Sequence, residues 1–554
     1  LYGKVVMNGK FFEEFGRAEG WVSAGITAVS VRDFWQNFPK EFEVAPNRLT
    51  IHFWPGHGEA PIRTGERLNE RNAYQCWFAH EGELLDFKAT DEVVDLVKKE
   101  GSNHESLIQA NAMGISKTHH LMFQFHDGNW DRARVRSTHR VFDMHPTAIV
   151  DPEWVCGSGA LGRIAPRRME RLPETEKAID GLIARFIRQQ DEDRDYGMWN
   201  FGDAHHNWIW HKRRWRLYRT WRATHHSWPR WPWMQFARSG SFEALQYGRR
   251  NAYHVADISH CHYTDDEFRT GRYPIGKIVG GICDYKGLVH WNAGNRFGYN
   301  SVADVLLQHY YLTGDLRALD TALAHGAALI EEDRSNGGRE GSARLMSLVA
   351  LYQHTWDNRY LKLIDMHVET LLRTTAEKTV MADEWTASRA SHSIWTPGFI
   401  SYLELSGAEA GRKFISRWAD YLVRVGMDGM FGHEEAVDSA VCAILAHLAY
   451  GWRTTGDPKY LGAAAHRNRG YTGSIYTGDD PRFHGAPALA RRNMPLSFWL
   501  TDVGYYLGAM DDYGKELPAW APQPRPSICS LWEGQVEGKR RNMFHARIRQ
   551  SREG

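Results

Sequence analysis

The chain has 554 residues, of which 42% are hydrophobic and 24% charged, and its formal net charge is +1. That length exceeds one ordinary domain and supplies material for a large core. The near-neutral balance argues against a global field for nucleic acid or an anionic membrane, and no run of about 18 apolar residues is available to span a bilayer.

Trp (23), Tyr (23) and His (28) are plentiful. Flat rings beside polar tips suit sugar binding, and they equally suit a Trp-rich core. Six cysteines are scattered, with no CxxC pair for zinc or redox chemistry. Cys261 and Cys283 are close enough in sequence to meet, which spacing alone leaves open. No signal-peptide pattern opens the sequence.

The first 160 or so residues read as β. AGITAVSVRDFW, RLTIHFWPG and HLMFQFHDG are short runs of β-branched and aromatic residues punctuated by Gly and Pro. In the last run Leu121, Phe123 and Phe125 alternate with Met122 and Gln124, the pattern of a strand with one buried face. A β-sandwich-like domain over 1–165 is expected.

Near residue 170 the pattern changes. RRMERLPETEKAIDGLIARFIRQQDEDRD reads as helix, and helix-length segments dominate to about 512. A loose repeat runs through them. FGYNSVADVLLQHYYLTGDLRALDTALAHGAALI and DSAVCAILAHLAYGWRTTGDPKYLGAAAHRNRGY each show an apolar helix, a Thr-Gly-Asp turn and a second helix. Gly accepts the left-handed conformation that ends the first helix, and Asp caps the next. Weaker copies place turns near 240, 357 and 407 as well, and from 314 onward the intervals fit one helical hairpin each. Repeated hairpins make an open solenoid or a closed toroid. The expected architecture is a mixed α and β multidomain chain, with an (α/α) toroid over 166–515 and a Pro-rich, then basic, C-terminal extension over 516–554.

Three stretches gather chemistry. FEALQYGRRNAYHVADISHCHY reads as one helix and its exit, with His254 and Asp257 three apart on one face and His262 and Tyr263 just beyond. A helix end stabilised by histidine needs only one such ring. A metal site on His254, Asp257 and His262 is an alternative, although that spacing is no strong zinc signature. YGMWNFGDAHHNW carries Asn200, Asp203, His205 and His206. KGLVHWNAGNRFGYN carries His290, Trp291, Asn292, Asn295, Arg296 and Tyr299 in a Gly-broken loop. Polar rings on inter-helix loops are more often functional than structural. Arg344, His392 and the His-Glu-Glu at 433–435 are weaker candidates. HKRRWRLYRTWRATHHSWPRWPW interleaves base and aromatic, which suits an acidic glycan, a nucleic acid or a basic outer helix face. No Walker loop, GxGxxG after a strand, GxSxG or HExxH appears.

The order H-x-x-D, then His262-Tyr263, then His290-Trp291, then YYLTGD resembles the exo-rhamnogalacturonan lyase-like family of polysaccharide lyases. YGMWNFGDAHH, VRDFWQNFPK, LTIHFWPGHGE, SKTHHLMFQFHDG and PEWVCGSGALG resemble it too, over roughly 20–510, and ulvan lyases of similar build are a rival assignment. THHSWPRWPWMQFARSGS departs from the family by being more basic and richer in Trp. The resemblance implies β-domains joined to an (α/α) toroid, and cleavage of a uronate-containing polysaccharide such as rhamnogalacturonan by β-elimination.

That reaction removes the proton at C5, beside a carboxylate, and expels the oxygen at C4. Neutralising the carboxylate lets charge spread into an enolate-like form. Arg296 and Asn295 fit that clamp. Tyr263 and His290 fit the base and the acid in either order, with His262 and His254 orienting Tyr263 and Asp257 fixing the His254 tautomer. His205, His206, Trp291, Asn292, Tyr299, Arg344 and His392 are candidate substrate contacts. No cofactor is expected, with a divalent metal as the alternative. The expected partner is an acidic polysaccharide or oligosaccharide, with no nucleic acid and no membrane. Because polymeric uronates lie outside cells, a secreted or periplasmic location is expected. A toroidal glycoside hydrolase using two of Asp203, Asp284, Glu434 and Glu435, and a non-catalytic glycan binder, are the other readings.

Overall fold

The computed structural model describes residues 3–8, 10–55, 114–127, 131–144, 146–193, 195–204, 208–209, 214–215, 223–224, 228–263, 278–282, 301–333, 338–380, 396–425, 444–476 and 493–518. Its N-terminal part is built of antiparallel pairs. Strands β1 (Gly3–Met7) and β2 (Lys10–Phe15) form one hairpin, and β5 (Glu41–Ala45) and β6 (Arg48–His52) another. Between them β3 (Trp21–Ala24), β4 (Thr27–Val31) and β7 (Leu121–Phe125) make a three-stranded sheet in the order β3-β4-β7. β4 is central and its Ala28, Val29, Ser30 and Val31 are all buried. These small antiparallel sheets agree with the β reading of the N-terminal part; two sheets stacked as a sandwich are not established among the described residues.

The alternation in β7 holds, but its sense is reversed. Leu121, Phe123 and Phe125 are its exposed residues, Phe125 at 77%. Among the described residues β7 is an edge strand with only β4 beside it.

Helices follow: α1 (Arg132–Met144), α2 (Pro152–Gly157) and α3 (Pro173–Asp193). After a short hairpin of β8 (Trp208–Ile209) and β9 (Arg214–Trp215) come α4 (Trp231–Ser239) and α5 (Phe242–Asp257). Four hairpins continue the chain: α6 (Ala303–Thr313) with α7 (Leu316–Glu332), and α8 (Gly338–Thr355) with α9 (Asn358–Val380). Then come α10 (Thr396–Ser406) with α11 (Glu409–Val425), and α12 (Leu445–Thr455) with α13 (Lys459–Tyr476). The last described helix is α14 (Asn493–Tyr513).

The repeat read in the sequence is the turn that closes each hairpin. α4, α6, α8, α10, α12 and α14 all end on a left-handed residue, at Gly240, Gly314, Trp356, Gly407, Gly456 and Gly514. In three of these turns the same device recurs. The Thr hydroxyl donates to the carbonyl four residues back and accepts the Asp N–H, and the Asp carboxylate then caps the next helix. Gly is preferred at the middle position because a Cβ there crowds the following carbonyl. Trp356 occupies it with a φ of 57° and stays 70% exposed.

These helices form an inner layer whose neighbours run parallel. Asp304 at the start of α6 meets Ser347 in the middle of α8, and Tyr311 meets His354 near the ends of both. Arg230, before α4, grips Asp304 of α6 through a buried two-pronged pair at 2.6 Å. α14 packs on α12 and α4, and α10 on α8 and α12. The partner helices α3, α5, α7, α9, α11 and α13 lie outside them. The core between the layers is aliphatic and aromatic, with Trp228, Trp231, Trp233 and Trp499 fully buried. Burial of each such side chain is worth about 1.5–3 kcal/mol. The basic-aromatic stretch at 211–233 is therefore no single amphipathic helix: Arg214–Trp215 is strand, and its later tryptophans are core.

Candidate functional site

Outer helix α5 carries the histidine-rich exit, and two straps from the N-terminal region hold it. Residues 114–118 run beside its end, where His262 N–H donates to the Gly114 carbonyl and Ser116 N–H to that of Asp257. Residues 32–40 pair with 197–198, through Gly197 N–H to Gln36 and Met198 N–H to Phe38. Gly202 has a φ of 100°, and a Cβ there would sit 2.1 Å from the Arg250 carbonyl. Only Gly lets the 196–204 loop lie this close to α5, where the Asn251 side-chain amide donates to the Gly202 carbonyl.

The expected pairing of His254 with Asp257 is not what forms. His254 is fully buried, with Nε2 3.4 Å from Asp203. Asp257, also buried, accepts from the Thr118 N–H at 2.6 Å and the Thr118 hydroxyl at 2.8 Å, with Arg317 Nε at 3.4 Å. A carboxylate at the end of a helix is matched to the strap and the cation beyond it, not to a ring one turn back. His262 Nε2 lies 2.6 Å from the Ala256 carbonyl, which needs a proton on that nitrogen. Arg317 stands 3.0 Å from the same atom. Burial first, and then Arg317, push the His262 pKa down, so the ring is neutral at pH 7. The three residues of the metal alternative are thus taken up by other groups, His254 by Asp203, Asp257 by Thr118 and Arg317, and His262 by the Ala256 carbonyl and Arg317, and no group of three or more His, Cys, Asp or Glu among the described residues could hold a metal ion.

His260 is buried too, its Nδ1 2.6 Å from the Val255 carbonyl and its ring edge-on to His325. Burial, then His325, hold it well below the ordinary histidine range. Tyr263 differs from all of these, being 62% exposed. It is the proton-carrying group of the exit that faces solvent. Arg344 is buried and paired with Glu332 at 2.6 Å, which commits its guanidinium to the packing of α8 on α7. Cys156 is a buried free thiol, and the buried Cys261 thiol donates to the Tyr263 carbonyl at 3.3 Å.

His205, His206, Cys283, His290, Trp291, Asn292, Asn295, Arg296, Tyr299 and His392 lie outside the described residues, as do Asp284, Glu434 and Glu435. In chain order, 203–206 lead toward α4 and 290–299 into α6. The starts of those two helices are the ones that Arg230 and Asp304 clamp together.

Sequence reasoning missed a second cluster, at the seam between the N-terminal region and α5. A cavity of about 270 Å³ is lined there by Arg32, Asp33, Trp35, Arg249, Arg250 and Tyr253, among others. Arg249 and Tyr253 are one helical turn apart on α5, a spacing visible in RRNAYH. Burial, then Asp315, raise its phenol pKa, and the phenol bonds to that carboxylate. Burial works against the Asp315 charge, but bonds from His309 and Tyr253 outweigh it and hold that carboxyl low. Deeper in the seam are Lys40, pushed down to about 7 by burial and then by Lys117, and His119, pushed down to about 3 chiefly by burial. His119 stacks on Phe53 at 4.2 Å. Asp33 is pushed up to about 6 by burial and then by Asp143.

Residues 145–327 match the model of the PcRGLX-like protein C-terminal alpha/alpha toroid domain. That agrees with the layered helices described above. Among curated proteins, the uncharacterized protein YetA of Bacillus subtilis (strain 168) is 22% identical over 388 residues, which is 64% of this chain and 41% of that protein. The chain thus spans about two fifths of that relative's length. Among solved structures, Polysaccharide Lyase BACCELL_00875 shares 12% identity with a TM-score of 0.38, over 62% of this chain and 99% of that one.

Proposed function

We propose that this protein is a polysaccharide lyase that cleaves a uronate-containing polysaccharide by β-elimination. One observation carries the reading. The span that matches the PcRGLX-like toroid domain holds all three stretches in which proton-carrying and cationic side chains gather, at 203–206, 254–263 and 290–299. The geometry supports it at the one stretch that is fully described. The α5 exit is pinned by Asp257, and it presents the Tyr263 phenol to solvent while its histidines turn inward.

In this reading Tyr263 and His290 exchange protons with the sugar, one taking the C5 proton and the other protonating the departing O4. Arg296 and Asn295 hold the carboxylate and spread the charge that develops on it. His262 is neutral and fixed by the Ala256 carbonyl, so it positions the backbone ahead of Tyr263 instead of supplying a proton. His254 acts one layer further in, against Asp203. The substrate class is an acidic polysaccharide, with rhamnogalacturonan as the first polymer to try and ulvan as the second. A location outside the cytoplasm follows from that class.

The test is a panel of acidic polysaccharides followed by ultraviolet absorbance, which detects the C4–C5 double bond of an unsaturated uronate. Absorbance should rise with at least one polymer. Saturated reducing sugars alone would make the enzyme a hydrolase, and binding without any product would make it a non-catalytic glycan binder.

A further inference from the structure

The lining of the seam cavity carries three guanidiniums and two carboxylates, with Asp315 behind Tyr253, and one of those guanidiniums has an open fork. Arg32 is half-buried, donates from Nε to the Phe142 carbonyl at 3.0 Å and lies over the Phe142 ring at 4.5 Å. Its two terminal nitrogens have no hydrogen-bond partner among the described residues, and no carboxylate there comes within ion-pair distance of it. Arg250 is held by the Gln246 carbonyl, the Gln190 amide and the face of Tyr247, none of them charged. Arg249 completes a set of three guanidiniums, against the two carboxylates of Asp33 and Asp143. A guanidinium fork that opens on a cavity, with no carboxylate within ion-pair distance, can take an anion through two parallel bonds. Most of the rest of the lining is aromatic. Tyr196 and Phe201 form the inner wall, and Phe242, 38% exposed, stands at the rim.

We propose that this cavity is a subsite for one carboxylated sugar unit, with the open fork of Arg32 taking the carboxylate and Phe242 covering the apolar face of the ring. The proposal rests on the acidic-polysaccharide reading and extends it to a second place on the molecule, away from the α5 exit. A planar guanidinium matches a carboxylate with two parallel bonds, which a lysine cannot do. An aromatic face stacks on the C–H side of a pyranose while its hydroxyls remain free for Gln36 and Gln246 at the cavity edge. The volume lies just below the usual range for drug-sized ligands, roughly 300–1,000 Å³, so it admits one sugar unit and leaves the polymer to run outward.

The experiment is calorimetric titration of the full chain with trigalacturonate, and with the same trisaccharide after its carboxyls are reduced to alcohols. Trigalacturonate should bind at least tenfold more tightly than the reduced sugar. Arg32→Gln should lose at least tenfold of the trigalacturonate affinity and leave the reduced sugar unchanged. Arg32→Lys keeps the charge without the fork and should fall in between. Equal binding of the two sugars would overturn the proposal, as would unchanged trigalacturonate affinity in either variant when it melts with the parent. If neither variant folds, phenylglyoxal labelling of Arg32 in the parent replaces them: trigalacturonate should slow it, and undiminished labelling overturns the proposal. Binding is read without turnover. Loss of ultraviolet product with binding intact therefore sinks the lyase reading and spares the subsite, and the reverse result does the opposite.

Discussion

Asp33 offers the sharpest quantitative test of the seam. It sits at a φ of 49°, in the left-handed region that Asn also tolerates. Its backbone N–H donates to Asp143 at 2.9 Å and its carbonyl accepts from Asn37 at 3.0 Å, and Asp33→Asn keeps both bonds. What the substitution removes is a carboxyl raised from 3.8 to about 6, first by burial and then by Asp143. Because the folded value lies above the unfolded one, the folded chain binds the extra proton between those limits. The associated stability is present at low pH and is lost as pH rises through about 6. A shift of about 2 units at 1.36 kcal/mol each gives a ceiling of about 3 kcal/mol above pH 7. Partial solvent access reduces this to about 2 kcal/mol. In paired urea unfolding curves, Asp33→Asn should match the parent near pH 4 and exceed it by about that amount near pH 7.5. A difference that stays flat with pH, or a variant weaker than the parent at neutral pH, would refute the reasoning.

Asp257→Ala should destabilise by about 3–5 kcal/mol, because it removes two bonds to a charged acceptor and leaves the Thr118 N–H without one; thermal unfolding measures it. Gly456→Ala should cost about 1–2 kcal/mol, a purely conformational penalty, since the φ is 74° and nothing lies within 4 Å of the added Cβ. Arg230→Met should cost about 3–5 kcal/mol in urea unfolding, because Asp304 would stay buried without its partner. Tyr263→Phe and His290→Ala should each remove most turnover in the ultraviolet assay. The melting temperature of Tyr263→Phe should not move, because the phenol is exposed. Full activity in either variant would take that residue out of the mechanism.

The hairpin repeat was legible because its signal is local. A helix that stops at Thr-Gly-Asp does so for reasons contained in a few residues: a left-handed Gly, a Thr hydroxyl facing back and an Asp facing forward. Those same residues form the turns at 314 and 456. The turn at 356 was readable from Thr355 and Asp357 even though a Trp holds the middle position. The α5 helix and its exit were likewise readable, from apolar spacing and from the density of histidine.

The partners of those histidines were not readable. Sequence proximity favoured His254 with Asp257, whereas the fold gives His254 to Asp203 and Asp257 to Thr118 and Arg317. The seam cavity escaped for the same reason. Arg32, Asp143 and Arg249 are distant in the chain, and no periodicity links them.

By itself, then, the sequence determined where helices begin and end, that they come in hairpins, and which segments are rich in proton carriers. Capping, left-handed turns and amphipathic spacing act over one or two turns of chain, so they are written locally. The tertiary structure alone decided which carboxylate meets which imidazole, which face of β7 is exposed, and that three guanidiniums share one cavity. Charge and hydrogen-bond pairing depend on distance in space, and only the packing of the N-terminal straps against α5 sets those distances.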